Sequence, residues 1–114
     1  MSIPQSGGGA IEHIDDLAAF MASGEKPKSQ WRIGTEHEKF GWLTADRRPL
    51  PYDGASSIRT LFTELSARFG WTPVREGENV IGLTRKGANI SLEPGGQFEL
   101  SGAAVSNMNE TASE

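Results

Sequence analysis

The chain has 114 residues, 36% of them apolar and 23% charged, and a formal net charge of −4. That length supports one domain with a small core, and the acidic balance offers no electrostatic reason to hold nucleic acid or anionic lipid. The absence of cysteine excludes disulfides, thiolate metal sites and a cysteine nucleophile, and no apolar run approaches the length of a membrane span.

Residues 1–9 are small and polar, end in three glycines, and read as a disordered lead. The opening MSIPQSGGGAIEHIDD lacks a positive segment followed by an apolar one, so it is not read as a secretory signal and the cytoplasm is the expected compartment. From Ala10 to Ser23, Ile11, Ile14, Leu17, Ala18 and Met21 recur at helical spacing, with Glu12, Asp15 and Asp16 in the first turns. Gly24 stops this helix, and a charged, Pro-containing connector follows.

Trp31 to Leu43 (WRIGTEHEKFGWL) is rich in aromatic and β-branched residues and predicts a strand, bent at Gly34 or Gly41. The prolines of TADRRPLPYDG make the next stretch a loop or hairpin connection. Ser56 or Ser57 then caps a helix whose Ile58, Leu61, Phe62, Leu65 and Phe69 form one apolar stripe, and Gly70 ends it. Beyond it, GEN and RKGAN read as turns between short β segments, one holding Val80, Ile81 and Leu83 and the next Ile90 and Leu92. Pro94, Gly95 and Gly96 interrupt the pattern, Gln97 to Leu100 resume it, and the tail from Ala103 begins another helix. The expected fold class is α+β, with helices beside a few antiparallel strands.

The chemical signal is Glu36-His37-Glu38. On a strand the two carboxylates point to one side and His37 to the other. Paired carboxylates repel, and a divalent cation relieves that cost; Mg²⁺ in particular takes hard oxygen ligands together with water and phosphate. Glu99, between Phe98 and Leu100, is half-buried by its context, and Glu93 precedes the Pro-Gly-Gly turn. If strand 31–43 neighbours strand 97–100, Glu36, Glu38 and Glu99 converge. The competing reading places the E-x-E pair on a solvated sheet face. HExxH fails because position 41 is glycine, and EPGGQ lacks the Lys-Ser/Thr ending of a phosphate-binding loop. Arg32, Lys39, Arg47, Arg48, Arg85 and Lys86 are available to contact phosphate or carboxylate. Phe62, Phe69 and Phe98 fit the core.

GTEHEKFG, the helix ending ARFGW, and ENVIGLTRKGANISLEPGGQFELSG together closely resemble the opening part of plant-type glutamate–cysteine ligases, the form shared by plants and many proteobacteria. The resemblance runs from about residue 31 and continues more weakly through NMNET. It implies ATP-dependent formation of γ-glutamylcysteine from L-glutamate and L-cysteine, the first step of glutathione synthesis. It also implies a glutamine-synthetase-like sheet curved around a funnel-shaped site, present here only in part. By that likeness Glu36, Glu38 and Glu99 match acidic Mg²⁺ ligands, and the turn from Glu93 to Gln97 lies near the metal and the amino-acid substrates. Residues 31–114 are then the N-terminal part of the catalytic domain, with a flexible lead and helix over 1–30.

The family enzyme is several times longer, so the 114-residue chain is expected to be inactive alone, and the remainder of the ligase or an intact ligase subunit is the expected partner. Three other readings compete. One is a truncated remnant or split subunit that binds metal, amino acid or an intact ligase chain. Another is a hydrolase using Glu36 with Glu93 or Glu99 as acid and base. The last is a ligase with a different amine acceptor.

Overall fold

Antiparallel pairing joins five short strands into one open sheet. The computed structural model describes residues 9–113. In chain order the elements are α1 (Ile14–Ser23), β1 (Glu36–Phe40), α2 (Ile58–Phe69), β2 (Thr72–Glu76), β3 (Asn79–Arg85), β4 (Ala88–Glu93), β5 (Gln97–Ser101) and α3 (Met108–Ala112). Spatial order is β1-β5-β4-β3-β2, so the first strand enters at one edge beside the last. The α+β class and the antiparallel sheet are both as the sequence implies.

α2 forms for the reasons its sequence announces. The Ser57 hydroxyl accepts from Thr60 N–H at 3.1 Å and so satisfies one of the free donors of the first turn. At the other end Gly70 takes the left-handed conformation (φ +70°) and returns its N–H to Ser66 O, a close without a Cβ penalty. Ile58 and Phe62 are buried together with Val80 and Leu83, and Leu65, Ile90, Leu92 and Phe98 pack around them. Phe62 meets the Phe98 ring edge-on at 5.5 Å, an arrangement favoured by the ring quadrupoles.

Val80 and Leu83 reach the same side of the sheet despite their odd spacing. Val74 pairs with Gly82 and Arg75 with Val80, which leaves Ile81 unmatched. That bulge flips the alternation and turns Val80 toward α2. Tyr52 donates its hydroxyl to Val80 O at 3.0 Å. Arg59 ties three segments together, through Asp53 Oδ1 at 2.5 Å, Glu78 O at 3.2 Å and Asn79 Oδ1 at 2.9 Å. The hydrogen bond from Arg59 to Asp53 raises the guanidinium pKa above its ordinary value, against an opposing effect of burial.

Several expectations need correction. The first helix starts at Ile14 rather than Ala10, because Asp16 Oδ2 accepts from the N–H groups of Glu12 and His13 and sets the helix start there. Its apolar face is not packed: Ile14, Leu17, Phe20 and Met21 are exposed. The strand expected over Trp31–Leu43 is confined to Glu36–Phe40, with isolated bridges Ile33–Val105 and Trp42–Pro49 on either side of Gly34 and Gly41. A Cβ on Gly41 would press on Leu50 at about 3 Å, so the chain turns where that residue has no side chain. Phe69 is 56% exposed and is not core, although α2 packs on β3 and β2. The disordered lead expected over residues 1–9 falls, for residues 1–8, outside the described residues. No helix among the described residues is long and apolar enough to cross a membrane.

Candidate functional site

Strand alternation divides the sheet into two chemically different faces. Toward α2 point Leu83, Ile90, Leu92, Phe98 and Leu100; the opposite face carries Thr84, Asn89, Ser91, Glu93, Gln97, Glu99 and Ser101. The same rule applied to β1 places Glu36 and Glu38 on the polar face and His37 and Lys39 on the α2 side.

The polar face is organised in cross-strand rows. Glu38 pairs with Glu99, which pairs with Ser91, which pairs with Gly82. One row over, Glu36 pairs with Ser101 and Ser101 with Asn89; on the other side lie Phe40, Gln97 and Glu93. The condition set by the sequence reading is present: β1 neighbours β5, and Glu36, Glu38 and Glu99 share one face and two adjacent rows. Directly opposed Cα atoms in such a ladder are about 4.5–5.5 Å apart, and successive same-face residues on a strand are about 7 Å apart.

Neutral donors reach Glu38, Glu99 and Glu93. Gln97 Nε2 donates to Glu38 Oε2 at 3.0 Å, Ser101 Oγ to Glu99 Oε1 at 3.2 Å, and Ser91 Oγ to Glu93 Oε1 at 2.9 Å. Among the described residues the ion pairs Arg48–Asp46, Arg59–Asp53 and Arg68–Glu64 do not involve Glu36, Glu38 or Glu99. Two like charges directly opposed in a ladder repel, and the Gln97 amide and the Ser101 hydroxyl set dipoles against that repulsion.

The donor chemistry suits a hard divalent cation: oxygen ligands on one rigid face, with no soft donor among them. The side chains are not drawn into a ready-made cluster, since no group of three or more His, Cys, Asp or Glu among the described residues is close enough to hold an ion. The rows supply direction and charge without a preformed ion-holding cluster.

Reading from sequence missed Asn89, Ser91 and Ser101. The signal was present as alternation, with polar Asn89, Ser91 and Glu93 separated by Ile90 and Leu92, and Gln97, Glu99 and Ser101 separated by Phe98 and Leu100. Of the basic residues weighed earlier, Arg48 is engaged by Asp46, and Arg85 donates to Phe69 O at 3.0 Å. His37 and Lys39 border an apolar groove of about 520 Å³ under Leu61, Leu65 and Phe98, on the side of the sheet away from the carboxylates.

The sequence profile described as Glutamate-cysteine ligase family 2 (GCS2) matches residues 32–114. The chain belongs to that family. Glutamate–cysteine ligase A, chloroplastic, of Oryza sativa subsp. japonica is 51% identical over 100 residues, 88% of this chain and 20% of the rice protein. The chloroplastic glutamate–cysteine ligase of Nicotiana tabacum is 50% identical over 100 residues, 88% of this chain and 19% of its own length. That of Arabidopsis thaliana is 49% identical over 100 residues, with the same two shares. The chain thus spans about one fifth of the length of the curated relatives it matches. The match begins at Arg32, four residues before β1, and so takes in the whole sheet and both carboxylate strands.

Proposed function

We propose that this chain is part of an ATP- and Mg²⁺-dependent glutamate–cysteine ligase that forms γ-glutamylcysteine and so opens glutathione synthesis. The observation that carries the reading is the opposition of Glu38 and Glu99 on the polar face, with Glu36 beside them, in a family of that name. In this reading ATP phosphorylates the side-chain carboxylate of glutamate, the amine of cysteine attacks the acyl carbon, and phosphate leaves.

Glu36, Glu38 and Glu99 would hold Mg²⁺, which when bound neutralises phosphate charge. Gln97 orients the Glu38 carboxylate through its amide, and Ser101 does the same for Glu99. Glu93 and Gln97, flanking the turn Pro94–Gly96, border the same rows and are the residues we assign to the amino-acid substrates. The half-burial of Glu93, Gln97 and Glu99 restricts their motion, so the site acts by positioning and electrostatics.

The sheet is open at both edges and its carboxylate face is uncovered at Glu36 and Glu38. We therefore infer that the 114-residue chain by itself does not make γ-glutamylcysteine. The test is to assay the purified chain with Mg-ATP, glutamate and cysteine, and then a chimera in which it replaces the matching segment of the rice ligase. Product from the chimera and none from the chain is the expected result. A chimera that folds and stays inactive, while the parent rice enzyme works under the same conditions, overturns the assignment.

A further inference from the structure

The carboxylate face leaves His37, Arg85 and Lys86 unused, and the sheet brings all three to one place on its other side. Beyond the C-terminal end of α2, a pocket of about 310 Å³ is lined by Thr35, His37, Trp71, Arg85, Lys86 and Thr111, with small or apolar residues and Ser113 completing it. None of these lining side chains is a carboxylate. In a chain of net charge −4, two permanent cations and an imidazole around one small space run against the overall balance.

Three details show that the pocket is built. The Arg85 guanidinium lies 4.9 Å from the centroid of the Trp71 ring and gives one N–H to Phe69 O, so it is held in place with donors to spare. Lys86 opens a two-residue hairpin loop in the left-handed region (φ +48°), with Gly87 after it at φ +87°. That loop ordinarily prefers Asn-Gly, so a lysine at its first position departs from the usual turn chemistry. Finally, Thr111 also lines the pocket, and its Oγ1, shielded from solvent, has no hydrogen-bond partner among the described residues, a hydroxyl with bonding capacity left over.

We propose that this pocket is a binding site for a tetrahedral oxyanion of the phosphate type. The side chains come from four places, β1 (His37), β3 (Arg85), the β3–β4 turn (Lys86) and α3 (Thr111), and so face a ligand with oxygens on several sides, where a planar carboxylate would use two directions. Two basic side chains, Arg85 and Lys86, match the charge of a phosphate dianion. The proposal is independent of the ligase reading, because the pocket and the carboxylate rows lie on opposite faces of the sheet.

The experiment is titration of the 114-residue chain with inorganic phosphate at fixed ionic strength, followed by ¹H–¹⁵N NMR, with acetate as the planar comparison. Saturable shifts confined to the Trp71 indole and the amides of Lys86, Gly87 and Thr111, with acetate at least tenfold weaker, are expected. Lys86→Asn removes the charge and keeps a residue at home at positive φ, and should weaken phosphate binding by tenfold or more with the rest of the spectrum unmoved. Arg85→Gln should do the same, and Arg68→Gln on the outer surface of α2 should change nothing. Non-saturating shifts, acetate binding as tightly as phosphate, or equal loss in Arg68→Gln and Lys86→Asn each overturn the proposal. If Arg85→Gln disturbs the fold, the Lys86→Asn result decides.

Discussion

Gln97, the first residue of β5, donates its side-chain amide to the Glu38 carboxylate of β1 at 3.0 Å, across 59 positions of sequence. The bond joins the turn after Glu93 to the E-x-E strand, so the two signature segments of the chain meet in one polar contact. A carboxylate held by a neutral donor loses rotamer freedom, which is what an oxygen ligand needs.

Glu38→Gln removes a charged oxygen ligand and keeps the bulk. In the rice chimera this change should lower the rate of γ-glutamylcysteine formation and raise the Mg²⁺ concentration needed for half-maximal rate, while circular dichroism stays unchanged. An unaltered Mg²⁺ dependence would remove Glu38 from the metal shell.

Gln97→Ala should give a milder version of the same defect. Supporting partners of metal ligands typically contribute about 10- to 100-fold in affinity or activity, and the Gln97 variant should fall below the loss seen for Glu38→Gln. Mn²⁺ titration of the isolated chain, read by paramagnetic broadening at Ser101 and Gln97, measures the effect without catalysis.

Gly82→Ala places a Cβ 2.7 Å from the backbone oxygen of Ile90. Backbone cannot rotate aside as a side chain can, so β3 and β4 must separate or shift. Overpacking of this kind costs about 1–3 kcal/mol, and the urea midpoint should fall accordingly. An unchanged midpoint would mean that the strands lie farther apart than described.

Phe62→Ala empties the centre of a core in which Ile58, Phe62, Val80 and Leu83 are the buried apolar side chains among the described residues. Truncating a buried phenylalanine costs about 3–5 kcal/mol, a large part of the stability of a domain this small. The variant should lose cooperative thermal unfolding, whereas Phe62→Leu should retain it with a lowered midpoint.

Arg59→Lys should lower the thermal midpoint, although charge is conserved. Lysine lacks the planar fork that reaches Asp53, Glu78 O and Asn79 together. The arginine pKa is raised in the folded chain, so its contribution is complete below the unfolded pKa and is lost only as pH climbs past the folded one. The midpoints of the wild type and of the Arg59→Lys variant should therefore keep a constant difference through the neutral range; a difference that changes with pH there would point to another group.

Local signals were legible and long-range ones were conditional. Ser57, Gly70 and the Ile58–Phe62–Leu65 stripe specify α2 because capping and periodicity act within a few residues. Alternation likewise assigns Glu36 and Glu38 to one face. It cannot say which strand lies alongside, and the Glu38–Glu99 register depends on closing a loop that contains α2 and three strands. Phe69 shows the same limit from the other side: its spacing matches the stripe, yet its side chain stays exposed. The bulge at Ile81 was hidden for a related reason, since an extra residue in a strand leaves no mark of its own on an apolar run.

The two margins of the sheet are not equivalent. On β2, Pro73 has no N–H to offer, and the break in register beside Val74 twists the strand away. On β1, the stretch Glu36–Phe40 contains neither a proline nor a register break. Recruitment of any additional strand is thus directional, favoured along β1 and hindered along β2. A strand added there would move Glu36 and Glu38 from the rim toward the middle of a wider sheet, flanked on both sides by backbone.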